Sequence, residues 1–182
     1  MKKIFLVLLS IGLFQIMYAQ KFISKTGHIW FYSYTPVEVI EAHNRQAVSI
    51  LDAATGDLQF SLLVKSFEFK IALMQEHFNE NYMESDKFPK SSFKGKINNP
   101  AKIDFTKDGI YPAEVTGDLT IHGVTKTVTA TGTIEIKAAI ITAKTEFTVS
   151  PKDYNIEIPA LVENNIAKSI DVTVDVTYMS NP

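Results

Sequence analysis

The strongest constraint in this 182-residue chain is a strict two-residue alternation of apolar and polar side chains that recurs through its C-terminal two-thirds. Ile170, Val172, Val174, Val176 and Tyr178 interleave with Asp171, Thr173, Asp175 and Thr177. A pleated strand sends successive side chains to opposite faces, so this run predicts a half-buried strand with a polar outer surface. Val128, Ala130, Ile134 and Ile136 alternate in the same way with Thr127, Thr129, Thr131 and Thr133. Ile141, Ala143, Thr145, Phe147 and Val149 make a third such strand, ended by Pro151. Residues 114–121 form the partner that leads into the second run. His122-Gly123-Val124-Thr125 between them reads as a hairpin turn in which Gly123 supplies a positive φ. Asp108-Gly109 marks another turn, and residues 48–51, 57–64, 66–70 and 92–97 read as further strands.

One stretch breaks the period. Over residues 71–84 the apolar side chains Ile71, Met74, Phe78 and Tyr82 fall at three- and four-residue steps, while Gln75, Glu76, Asn79 and Glu80 face away. That spacing predicts one inserted amphipathic helix, stopped before Lys87-Phe88-Pro89 because proline disfavours helix at the residue before it. The fold class is therefore all-β. About eight antiparallel strands with one helix suit a closed barrel better than a two-layer sandwich, and at that size the interior either fills with side chains or encloses one small ligand. The last strand, residues 170–178, is also a possible edge that pairs between subunits, against which Asp171 and Asp175 argue. Oligomeric state stays open.

The first 19 residues fall outside this pattern. Lys2 and Lys3 precede apolar residues 4–9 and 11–14, and Met17-Tyr18-Ala19 ends on a small residue before Gln20. Residues 1–19 read as a secretory signal peptide and residues 20–182 as a single domain. Gln15 interrupts a stretch already short for a membrane span, although the bulk of Met17 leaves an uncleaved anchor as an alternative. Loss of residues 1–19 removes two lysines and no acids, taking the formal charge from −2 to −4. With no excess of cations, nucleic acid is not an expected partner. The chain has no cysteine, which excludes disulfides, thiolate nucleophiles and cysteine-based zinc or iron–sulfur sites. A domain of this size buries about 70% of its unfolded surface, enough for one core and a cavity.

Motifs for catalysis are missing. There is no Gly-x-Ser-x-Gly elbow, no His-Glu-x-x-His, no phosphate-binding glycine loop and no dinucleotide fingerprint. His28, His43, His77 and His122 lie far apart, with no pair at ligand spacing on one element, so neither a metal nor another cofactor is expected. His122, in its turn, is expected at the surface. A buried His77 or His122 beside a carboxylate in a cleft would be the first sign of a hydrolase. The aromatic residues say more. Phe67 and Phe69 share one strand face, and Met74, Phe78 and Tyr82 share one helix face. Such stripes line cores as readily as pockets, and pattern alone leaves both open.

The order of short motifs from residue 74 onward carries a resemblance. His77-Phe78, Tyr82-Met83, Lys87-Phe88-Pro89, Phe93-Lys94-Gly95 and Tyr111-Pro112-Ala113 lead into the unbroken segment Val115-Thr116-Gly117-Asp118-Leu119-Thr120-Ile121-His122-Gly123-Val124-Thr125-Lys126. The stretch from Phe147 through Pro151, Lys152 and Asp153 to Ile156 follows it. This series resembles the YceI-like proteins over residues 47–178. The segment from 20 to 46 departs from the family's N-terminus, with Gly27-His28-Ile29-Trp30-Phe31 as the candidate first strand.

The resemblance implies an extended lipocalin-like barrel whose apolar interior holds a polyisoprenoid or other long-chain amphiphile, in an exported, periplasmic or secreted protein without catalysis. It implies Phe67, Phe69, Met74, Phe78, Tyr82, Phe93, Leu119, Ile121 and Phe147 as pocket-wall residues, and leaves room for transient membrane contact. Each buried methylene contributes about 0.8 kcal/mol, so roughly ten carbons match the ~8 kcal/mol of a micromolar complex before ordering costs. The competing reading is a structural or protein-interaction barrel with a fully packed interior.

Overall fold

Nine strands form one sheet in the computed structural model, which describes residues 21–178. They are β1 (Lys21–Tyr34), β2 (Val39–Asp52), β3 (Asp57–Leu63), β4 (Glu68–Phe69), β5 (Lys90–Ile97), β6 (Gly109–Ile121), β7 (Val124–Lys137), β8 (Ile140–Val149) and β9 (Ile170–Tyr178). The order β1-β9-β8-β7-β6-β5-β3-β2 is closed by a β1–β2 pairing, and every ladder is antiparallel. Eight strands thus make a closed barrel. The two-residue β4 sits on β2, with Phe69 opposite Ala42. The expected signal segment, residues 1–19, lies outside the described residues.

The weak pattern at residues 20–46 has a structural cause. Inner-face positions run Phe22, Ser24, then Gly27, Ile29 and Ser33 on β1, and Ala42, Asn44, then Ala47, Ser49 and Leu51 on β2. The register shifts between Ser24 and Gly27 and again between Gly27 and Ile29, so one extra residue on each strand flips the phase. Gly27 sits at this irregularity, where an added Cβ would lie 3.0 Å from both the Ala47 carbonyl and Val176.

The β6–β7 hairpin is regular over its whole length, from Gly109 opposite Ile136 to Ile121 opposite Val124. Its two turn residues, His122 and Gly123, have φ of 50° and 74°. Two consecutive positive φ values are the type I′ signature, which matches the twist of the flanking strands.

Three expectations are corrected. The strand over residues 66–70 shrinks to Glu68–Phe69, because Val64–Ser66 forms a 3₁₀ turn first. The helix over 71–84 is not one regular helix: α1 spans Ala72–His77, and Phe78–Tyr82 continue as a π-type turn in which the Met83 N–H donates to the Phe78 carbonyl at 2.8 Å. The wider turn ends at Glu84, whose φ is 42°. Finally, β9 is no edge. It pairs with β1 through Asp175 opposite His28 and with β8 through Val149 opposite Ile170.

The two ends of the barrel differ. At the closed end Phe22, Leu51, Ile97, Ile136, Ile141 and Tyr178 are buried in one cluster. The turn Pro100–Lys102 carries Ile103 into that cluster, and Phe105 stacks on Phe22 with centroids 6.4 Å apart. Each such side chain contributes about 1.5–3 kcal/mol by leaving water. The Tyr178 hydroxyl and Ser49 Oγ share a 2.6 Å hydrogen bond there, and burial pushes the Tyr178 phenol far above its ordinary value. At the other end the β1–β2 tip, α1 with its π-type turn, and the irregular segment 150–167 surround an opening.

Candidate ligand-binding cavity

The barrel interior is not filled. A cavity of about 560 Å³ runs from the opening toward the closed end, within the ~300–1,000 Å³ range of small-ligand sites. Phe31, Phe60, Phe69, Phe78, Phe93, Phe147 and Val172 point inward yet are only partly buried, packing against the core with one side. What remains exposed on these side chains faces the cavity.

Phe67, Phe69, Met74, Phe78, Tyr82, Phe93, Leu119, Ile121 and Phe147 all lie in the cavity wall. The strands place Phe93 and Leu119 directly opposite each other on β5 and β6. One step along, Gly95 faces Gly117, and the Phe93 ring lies over both. A Cβ on Gly117 would meet the Lys94 carbonyl at 2.5 Å and the ring at 2.8 Å, so these glycines let an aromatic ring lie flat against the wall. At the mouth Phe31, Phe67, Phe69 and Phe78 form one aromatic cluster with centroids 5.0 to 5.8 Å apart. The π-type turn delivers Phe78, and β4 delivers Phe69, to this cluster.

Phe31 escaped sequence reasoning because Trp30, Phe31 and Tyr32 are consecutive aromatics, which hides the alternation. Ile156 and Ile158 also line the wall from irregular backbone, and Val162 from the short 3₁₀ helix Ala160–Asn165, none of which carries a periodic signal.

Ser61, Ser91, Ser92, Thr133 and Thr145 line the wall from the strands, and Glu38, Tyr82 and Asn165 line it at the mouth. Asn165 Nδ2 donates to Glu38 Oε2 at 2.9 Å, and Tyr82 lies close enough to Glu38 to sense its charge. Burial, and then that charge, raise the Tyr82 phenol above its ordinary value, which keeps it a hydrogen-bond donor. Lys144 belongs to the wall by position, but its ammonium pairs with Asp175 at 2.9 Å on the outer face.

The histidines divide. His77, the last residue of α1, lines the cavity. His122 is only 9% exposed rather than a surface turn residue. Its Nδ1 donates to the Tyr154 carbonyl at 3.1 Å and its Nε2 contacts the Glu84 carboxylate at 2.8 Å, while Phe88 packs edge-on at 4.5 Å. The buried histidine and the partly exposed carboxylate are outside the cavity wall, and they tie the hairpin, the π-type turn and segment 150–167 to one another. His28 and His43, far apart in sequence, meet on the outer face with Nε2 and Nδ1 3.0 Å apart, and Trp30 stacks on His28 at 4.3 Å. Burial, then the charge of Arg45, lowers the His28 pKa. Among the described residues no group of three His, Cys, Asp or Glu side chains is placed to hold a metal ion.

The YceI-like domain profile matches residues 20–178. No curated protein sequence matches the chain. Among solved structures, a polyisoprenoid binding domain from Saccharophagus degradans, implicated in plant cell wall breakdown, superposes with a TM-score of 0.78 at 14% identity, covering 90% of this chain and 100% of that one. Burkholderia cenocepacia BcnA gives 0.69 at 18% identity, covering 83% and 95%. The Campylobacter jejuni YceI protein gives 0.56 at 16% identity, covering 100% of both. These likenesses are of fold. With a profile that spans every strand of the barrel, the chain belongs to the YceI-like domain family.

Proposed function

We propose that this protein is an exported, non-catalytic carrier that holds an isoprenoid or similar long-chain amphiphile inside its barrel. The observation that carries the reading is the elongated cavity of about 560 Å³, walled almost entirely by apolar side chains and open at one end. A long apolar chain gains about 0.8 kcal/mol per methylene there without a dedicated polar partner. One neighbour of this fold is described as polyisoprenoid binding, which names the ligand class to test first. Export is supported by Lys2, Lys3 and the apolar residues that follow them.

The rim of the opening supports loading at a membrane surface. Tyr34, Val37, Leu73 and Leu161 are 64%, 67%, 57% and 94% exposed around it, an apolar fringe unusual for a surface in contact only with water. The absence of catalysis is supported by the engagement of both His122 nitrogens outside the cavity. The open interior weighs against a fully packed interaction barrel.

Solvent extraction of the protein purified from its native host provides the test. A long-chain isoprenoid or related amphiphile in the extract, in near-stoichiometric amount, is the expected result. Empty protein that also takes up no isoprenoid on incubation would overturn the proposal.

A further inference from the structure

The mouth of the cavity carries a polar patch of Glu38, Tyr82 and Asn165, with His77 also in the wall and no arginine there. Glu38 is held there by the β1–β2 tip: Thr35 Oγ1 accepts from the Val37 and Glu38 N–H groups at 3.2 and 3.0 Å, and the Thr35 N–H donates to the Glu38 carbonyl at 3.0 Å. Asn165 occupies one oxygen of the Glu38 carboxylate from across the opening. The other, Oε1, makes no hydrogen bond among the described residues, and Tyr82 lines the same cavity with its hydroxyl also unpaired among them. The one lysine in the wall, Lys144, is neutralised by Asp175 outside the barrel.

A lipid whose chain fills the cavity leaves its head group in this patch. Phosphate recognition needs arginine, lysine or clustered backbone N–H donors, and a phosphate monoester beside Glu38 adds close to two negative charges to one already there. A hydroxyl, by contrast, donates to a carboxylate and accepts from a phenol.

We propose that Glu38, with Asn165 and Tyr82, forms a head-group subsite that selects lipids ending in a neutral hydrogen-bond donor, such as a primary alcohol, and rejects phosphorylated ones. This rests on the reading that the cavity holds a long-chain lipid.

The test is displacement of the neutral dye N-phenylnaphthylamine from the full chain by geranylgeraniol and by geranylgeranyl monophosphate, below their aggregation limits and near neutral pH. The alcohol is expected to displace the dye at least about tenfold more effectively than the phosphate, equivalent to ~1.4 kcal/mol. In Glu38→Gln the gap narrows to about twofold or less, and in Glu38→Lys the order reverses, as expected from removing or inverting one nearby charge. Glu38 sits at a partly exposed strand tip, so both variants keep the barrel, which matching thermal transitions verify. Equal displacement by both lipids in the unaltered protein, or an unchanged gap in both variants, overturns the subsite and leaves the carrier reading standing. Failure of the alcohol and the phosphate alike to displace the dye overturns both the subsite and the carrier reading.

Discussion

The closed end and the mouth of this barrel are built from the same residue types and differ in what those residues face. At the closed end Leu51, Ile97, Ile141 and Tyr178 are at most 2% exposed. At the mouth Phe31, Phe69 and Phe78 touch one another yet keep part of each ring open to the cavity. Apolar residues stabilise a fold only in so far as they leave water, so the first group holds the barrel together and the second keeps unsatisfied apolar surface for a ligand. Stability and binding are thereby assigned to opposite ends of one sheet, and substitutions can separate them.

The largest effect is expected from Ile141→Ala, at the closed end and away from the cavity wall. Loss of a fully buried branched side chain costs about 2–5 kcal/mol, read by denaturant unfolding, with lipid stoichiometry unchanged in the folded fraction. The converse is Ala143→Phe. Ala143 points into the cavity from β8, opposite Ile134, and a ring there occupies ligand space. Uptake of isoprenoid should fall at least about tenfold, ~1.4 kcal/mol, while the unfolding transition moves little. A variant that lost binding only by unfolding would blur the distinction drawn between the two ends.

Much of this contrast was legible in the residues. Alternation placed β7, β8 and β9, and their inward sides, because each strand keeps an uninterrupted two-residue period. The same rule failed on β1 and β2, where the paired irregularity around Gly27 and Ala47 flips the inward face midway. The aromatic stripes at Phe67, Phe69 and Phe78 fell on the cavity, yet nothing in their spacing separates a wall from a core, since that depends on what lies across the barrel. Glu38 and Asn165 are 127 residues apart and meet only once the barrel closes, so no local signal announces their pairing. The burial of His122 likewise depends on Glu84, Phe88 and Tyr154 arriving from two other segments.

Two smaller effects sharpen the comparison. Tyr178→Phe removes the hydrogen bond to Ser49 and leaves that hydroxyl buried, a loss of about 1–3 kcal/mol in unfolding free energy, with ligand affinity little changed because the ring that lines the inner end of the cavity is kept. At the mouth, the hydrogen bond from His122, aided by the Lys87 charge, holds the Glu84 carboxyl below its ordinary value. A lowered folded-state pKa means that this contribution is present at neutral pH and is lost as pH falls through the lowered value. Glu84→Gln should therefore melt slightly below the unaltered protein at neutral pH. The difference should close on acidification below about pH 4.5, the carboxyl's ordinary value. Persistence of the difference in acid would remove Glu84 from the set of contacts that hold the mouth.

The central claim is that the open interior is a binding site rather than a packing defect, and native mass spectrometry of the full chain with geranylgeraniol tests it most directly. The account predicts a single adduct of one lipid per chain that saturates, is released on unfolding, and is absent from Ala143→Phe. Bare protein at every lipid concentration, or the same adducts on the cavity-filled variant, would contradict it.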